Sequence, residues 1–173
     1  MIYRSDMKKD IVTHQPPRQS GFTLLEVLLV VALIGVLAGI VIVAINPGKQ
    51  LGETNNAQRK LDVNTIITAV YQYRLDNGGN IPTAIDNATG TSQVLGTDSS
   101  GCDNTCTATA AATETACLNM TSDLVPTYIV GIPTDPSSGS PANTDYYINQ
   151  TDDGRITVGA CDPEQGATIS VSR

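Results

Sequence analysis

The chain has 173 residues, with Lys+Arg 10 against Asp+Glu 17 and a formal net charge of -7. Hydrophobic residues make up 40% and aromatics 4%, which suits one domain and leaves no length for a large catalytic core. Arg4, Lys8, Lys9 and Arg18 fall near the start, so the remainder is strongly acidic, repels phosphate backbones, and is not expected to bind nucleic acid.

From Val27 to Ile45 no charged or strongly polar side chain occurs, and Phe22 to Leu25 extend the run upstream past a single Glu26. At about 1.5 Å per residue this run reaches roughly 28 Å, close to the hydrocarbon thickness of a bilayer. It is apolar on every side rather than along one face, and so predicts a membrane span. The basic residues ahead of it place the amino end in the cytoplasm and send the body across. Cys102, Cys106, Cys117 and Cys161 all lie in that body and read as two disulfides formed in an oxidising compartment. An ordinary signal peptide, cut after Val36-Leu37-Ala38 before Gly39, fits less well: the run exceeds the usual length of about 7–15 residues, and the cut would fall inside it.

Ser20-Gly21-Phe22-Thr23-Leu24-Leu25-Glu26 joins the polar leader to the span. Over about residues 18 to 50 this resembles the prepilin signature of type IV pilins and pseudopilins. The resemblance implies cleavage between Gly21 and Phe22 by a membrane-embedded prepilin peptidase, N-methylation of Phe22, and assembly into a helical homo-oligomeric filament. The implied partners are the peptidase-methylase, an assembly platform with its ATPase, and inner-membrane lipid before assembly. No cofactor is implied.

Residue chemistry points the same way. Gly21 lacks a Cβ, so its backbone can enter a narrow protease cleft. Glu26 costs about 2.5–3.5 kcal/mol at a bilayer centre and less near the interface, which marks it as functional and in need of a cationic partner. Cleavage would create an amine on Phe22, either four residues away in the same chain or on a neighbouring subunit. The resemblance implies the intermolecular pair, with Glu26 setting register. Gly35 and Gly39 form a G-x-x-x-G pair that permits close helix approach. Many members of the family carry a proline where this chain has Val43, so any kink is expected nearer Asn46.

At Asn46-Pro47-Gly48 the span either kinks or stops and restarts. An amphipathic helix over about 49–77 follows, with Val63, Ile66, Ile67, Val70, Tyr71 and Tyr73 on one face. Asn77-Gly78-Gly79-Asn80 and Pro82 end it. If unbroken, the rod from Thr23 to Asn77 would span roughly 80 Å. The Thr/Ser/Ala-rich stretch at about 86–117 holds no aliphatic residue larger than Ala between Leu95 and Leu118 and reads as a loop. Four cysteines allow three pairings; Cys102–Cys106 with Cys117–Cys161 is the preferred one. A zinc site is a poor rival, because His14 is the only histidine and lies in the leader.

Strands are expected over about 126–171: Tyr128-Ile129-Val130, then Tyr146–Asn149 and Arg155–Val158 around the Asp152-Asp153-Gly154 hairpin turn, then 167–171. Asp135, Asp145, Asp152 and Asp153 are weak calcium candidates, read chiefly as turn formers because no D-x-D-x-D-G loop is present. No nucleophile elbow, phosphate loop or HExxH occurs, and catalysis is not expected. The expected organisation is a leader at 1–21, a transmembrane and filament-core helix at 22–46, and an extracytoplasmic head at 47–173. The fold class is α+β, a long helix with a transmembrane half and an amphipathic half packed on a small antiparallel sheet, as in pilins. The leading function is a structural pilus subunit. The alternatives are a pseudopilin of a type II secretion system, or an anchored or secreted soluble binding domain.

Overall fold

The computed structural model describes residues 21–102, 106, 112–113 and 115–173, so the expected leader lies almost wholly outside the described residues. The chain divides into two compact units that meet between Ala44 and Ile45.

The described part of the first unit holds all but the last residue of the apolar helix α1, Leu24–Ile45, and none of the helix's 22 residues is buried. The second begins around the break between the helices. Asn46 sits at φ 46, ψ 77, in the left-handed region, and its side chain accepts a hydrogen bond from the Lys49 N–H at 3.3 Å. Pro47 occupies the first position of α2, Pro47–Asp76. An Asn cap followed by Pro is a strong start signal, so the helix stops and restarts here rather than running as one unbroken rod.

The head is an α+β unit. Four antiparallel strands lie in the order β1 (Thr91–Val94), β3 (Tyr146–Gln150), β4 (Ile156–Ala160), β5 (Ser170–Ser172), and the two-residue β2 (Ala112–Thr113) pairs parallel to β1 at the edge. In β3–β4, Tyr146 stands opposite Ala160 and Gln150 opposite Ile156, with Gly154 at φ 73 in the connecting turn. The Asp-Gly hairpin signal is thus borne out.

Strand periodicity divides the apolar residues between two faces. Tyr146, Ile148, Ile156, Val158 and Ala160 point to one side and form the main core with Val63, Ile66, Ile67, Ala69 and Val70 of α2. The amphipathic face expected of the helix is therefore the face that the sheet covers, each element burying the apolar surface of the other. Tyr71 and Tyr73 only flank it. On the opposite side of the sheet, Val94, Tyr147, Cys102, Cys106 and Cys161 make a smaller cluster.

Three expectations need correction. Tyr128-Ile129-Val130 is not a strand. It follows a one-turn helix α3 (Thr121–Leu124) and a cis Val125–Pro126 bond, and the Tyr128 and Ile129 N–H groups donate to the Leu124 carbonyl at 2.9 and 3.2 Å. Tyr128 then packs edge-on against Tyr73, with ring centroids 5.7 Å apart. The stretch read as a loop also contains β1, whose Ser92 and Gln93 are buried. Gln93 replaces solvent with backbone, accepting from the Asp86 N–H at 3.0 Å and donating to the Ala84 carbonyl at 3.2 Å.

The disulfides, too, differ from expectation: they join Cys102 to Cys117 and Cys106 to Cys161, not Cys102 to Cys106 and Cys117 to Cys161. Cys102 and Cys117 are aligned by backbone bonds from the Cys102 N–H to the Thr115 carbonyl (3.1 Å) and from the Cys117 N–H to the Asp98 carbonyl (2.8 Å). Cys161, at the end of β4, faces the Tyr147 side of the sheet, where Cys106 reaches it.

Gly159 sits opposite Tyr147, and a Cβ there would lie 2.6 Å from the Tyr147 ring carbon Cζ. The phenol therefore lies directly over bare backbone. Gly159→Ala is expected to push the ring off its seat and cost about 1–3 kcal/mol, read from urea unfolding of the full chain in micelles.

Candidate processing and assembly site

The candidate site begins where α1 begins. Thr23 precedes the first helical residue, and its Oγ1 accepts the Glu26 N–H at 3.2 Å, while its carbonyl accepts the Glu26 and Val27 N–H groups at 3.1 and 3.2 Å. Thr23 is thus the N-cap and Glu26 the third helical residue, the spacing of a capping box. Sequence reading missed Thr23, although T-x-x-E immediately before an apolar run is the signal that would have found it. Glu26 lies in the first turn, where the positive end of the helix dipole favours a carboxylate by about 0.3–1 kcal/mol.

Among the described residues an added Cβ on Gly21 would meet nothing within 4 Å, so no packing among them demands glycine at that position. Phe22 is 84% exposed. Phe22, which precedes the helix, lines one groove with Glu26, Val27, Val30 and Val31, so these two candidate residues lie on the same side of the start of α1.

Gly35 and Gly39 also share a side. With Val36, Ile40, Val43 and Ala44 they line a shallow apolar groove, and neither glycine has an atom within 4 Å of an added Cβ. Along the whole of α1, large apolar side chains face outward, including Leu29, Leu33, Ile40 and Ile42. In water such a surface is costly at roughly 25 cal/mol per Å², whereas in lipid or among other apolar helices it is at no disadvantage.

The aspartates weighed as calcium ligands are not gathered. Among the described residues, no group of three or more His, Cys, Asp or Glu is placed to hold a metal ion. Asp152 and Asp153 lie in the exposed β3–β4 turn, with Asp153 2.9 Å from the Arg155 guanidinium. Asp145 is buried at φ 59, and its carbonyl accepts the Cys161 N–H at 2.9 Å.

Asp135 has a different role. It is fully buried against Arg59 of α2 in a two-pronged pair, Nε to Oδ2 at 2.6 Å and Nη2 to Oδ1 at 2.9 Å. The Ser137 N–H donates to the same carboxylate at 2.9 Å. Arg59 also donates to Asn56 at 2.9 Å and Ser137 at 2.8 Å. Asn56 in turn exchanges two bonds with the backbone of Glu164, at 2.8 and 3.0 Å. The network ties the first half of α2 to two distant loops. Burial alone would raise the Asp135 carboxyl, but the hydrogen bonds from Arg59 and Ser137 outweigh it and hold the group below the usual carboxylate range. Farther along the helix, Asp62 accepts the Tyr146 hydroxyl at 2.8 Å, and burial, reinforced by that carboxylate, pushes the phenol well above its ordinary value.

Residues 16–42 match the family described as the prokaryotic N-terminal methylation motif. The chain is 38% identical over 63 residues to the type II secretion system core protein G of Aeromonas hydrophila, a match covering 36% of this chain and 43% of that protein. The matched stretch is thus less than half of that relative's length. No solved structure matches the chain. The methylation motif takes in Gly21, Phe22, Glu26, Gly35 and Gly39, the residues that the structure places at and along α1.

Proposed function

We propose that this pilin-like chain, with its prepilin-type methylation motif at 16–42, is a structural filament subunit. It is inserted in the membrane with its amino end cytoplasmic, cleaved after Gly21, methylated on Phe22, and polymerised through α1. The observation that carries this reading is a 22-residue helix with no buried residue, apolar on all sides and capped by Thr23 directly behind Gly21-Phe22. A secreted soluble domain has no use for such a surface, and a simple anchor has no use for the cleavage dipeptide or for Glu26.

The chain is then the substrate of a peptidase-methylase and of an assembly platform driven by an ATPase. Assembly exchanges lipid for other α1 helices, so hydrophobic burial changes little, and packing and charge pairing decide the outcome. Glu26, near the new amine of Phe22, neutralises a neighbour's amino terminus only at one axial offset. Gly35 and Gly39 supply the close approach.

Two kinds of filament fit. The disulfide-tied head favours a surface pilus. The likeness to a core protein of a type II secretion system favours a pseudopilus and is the specific observation behind that second reading.

The test is filament assembly. With the processing and assembly components supplied, Glu26→Gln is expected to leave membrane insertion unchanged and lower sheared filament mass by at least about tenfold, the equivalent of about 1.4 kcal/mol per subunit contact. Filament mass equal to that of the unsubstituted chain would remove Glu26 from assembly.

A further inference from the structure

We propose that the head reaches its disulfide pairing by exchange rather than by direct oxidation, passing through a Cys102–Cys106 bridged intermediate, and that the chain is a substrate of a thiol–disulfide isomerase. The inference rests on reading the head as exported into an oxidising compartment.

The native bonds interleave along the chain. Cys102 joins Cys117 across 15 positions, and Cys106 joins Cys161 across 55. The two cysteines that leave the translocation channel first, Cys102 and Cys106, are not partners. Loop-closure cost grows as three-halves of the logarithm of loop length. An unfolded chain therefore brings Cys102 to Cys106 about sevenfold more often than to Cys117, and Cys106 to Cys102 about fiftyfold more often than to Cys161.

Order of arrival acts in the same direction. At roughly 5–20 residues per second, Cys161 follows Cys106 by about 3–11 s, long enough for a first bond to form in an oxidising compartment. What selects the native partners is formed late. The Cys117 N–H bond to Asp98 belongs to the folded loop, and the Cys161 N–H bond to Asp145 belongs to the finished end of the β3–β4 hairpin. Once folded, Cys102, Cys106 and Cys161 are buried with Val94 and Tyr147, and exchange ends because an attacking thiolate has no access to them.

The chemistry balances. Cys102 and Cys106 lose two electrons and two protons to a protein disulfide, which becomes a dithiol. The isomerase thiolate attacks Sγ of Cys102, forming a mixed disulfide and releasing Cys106 as thiolate. The Cys117 thiolate then displaces the isomerase from Cys102, with no net redox change. Cys106 and Cys161 finally pass two more electrons to a second oxidant disulfide.

The test uses the full chain, reduced in micelles and reoxidised with glutathione disulfide alone or with a Cys-x-x-Cys isomerase added, with thiols trapped at intervals and peptides mapped without reduction. Cys102–Cys106 is expected first, at about sevenfold excess over Cys102–Cys117, and the isomerase is expected to raise the native yield severalfold. A variant carrying Cys106→Ser and Cys161→Ser should form Cys102–Cys117 directly and without response to the isomerase. Native pairs at the earliest time, or an unchanged yield with isomerase, would overturn the proposal. Exchange in micelles combined with free thiols on the chain from cells would leave the exchange inference standing and refute the exported placement.

Discussion

Asp135→Asn destabilises the head by about 3–5 kcal/mol, because it leaves the Arg59 guanidinium buried without its counter-charge. The side chains of Arg59 and Asp135 are both fully buried, and the guanidinium bridges two loops whose chain positions lie 76 and 105 residues from it. Replacing both partners, as in Arg59→Met with Asp135→Leu, costs much less than the sum of the single changes, since no uncompensated charge remains. The comparison is made by urea unfolding of the full chain in micelles. The pair also makes the stability of the fold depend on pH in acid. The Asp135 carboxyl titrates below its ordinary range when folded, so its contribution is complete above the unfolded carboxylate value of about 3.9 and is lost as pH falls through the lower folded value. Asp135→Asn removes that part of the acid dependence. An unchanged acid profile in the variant would mean that other carboxylates set that dependence.

Loss of the Cys106–Cys161 bridge, in a chain carrying both Cys106→Ala and Cys161→Ala, costs about 4 kcal/mol by the chain-entropy relation for a separation of 55. The same relation gives about 3 kcal/mol for Cys102–Cys117 at a separation of 15. The longer bridge matters more for a second reason: it closes the cluster over Tyr147 on the side of the sheet that α2 does not cover. Among the described residues that side has little else to bury, since Val94 is the one fully buried aliphatic residue of its cluster. Two-state unfolding midpoints of the two double variants, compared at equal slope, give the ordering. A smaller loss for the Cys106–Cys161 pair than for the Cys102–Cys117 pair would contradict it.

What was legible in the sequence follows from physical range. The apolar period of Val63, Ile66, Ile67 and Val70 reads directly as a buried helical face, and Asp153-Gly154 reads directly as a hairpin turn, because each is a local pattern. Arg59, Asn56 and Asp62 lie buried on that same helix, yet as polar residues they carry no core signal in the sequence. Their partners Asp135, Glu164 and Tyr146 are brought to them only by the folded sheet. Ser92 and Gln93 hid β1 for the same reason, since a buried strand with polar side chains lacks the apolar signal. The cysteine pairing failed because nearness along the chain governs which thiols meet in an unfolded polymer, whereas the sheet decides which remain joined. At the candidate site, Gly21, Phe22 and Glu26 were readable because their chemistry is out of place beside a span. Thr23 was not singled out, although its bond to the Glu26 N–H fixes where the helix starts.

The most direct measurement is the amino-terminal sequence and intact mass of the mature chain recovered from membranes of cells that contain the processing enzyme. The account predicts a chain beginning at methylated Phe22 with all of α1 retained. A chain that still begins at Met1, or one that begins at Gly39 after loss of half of α1, would contradict it.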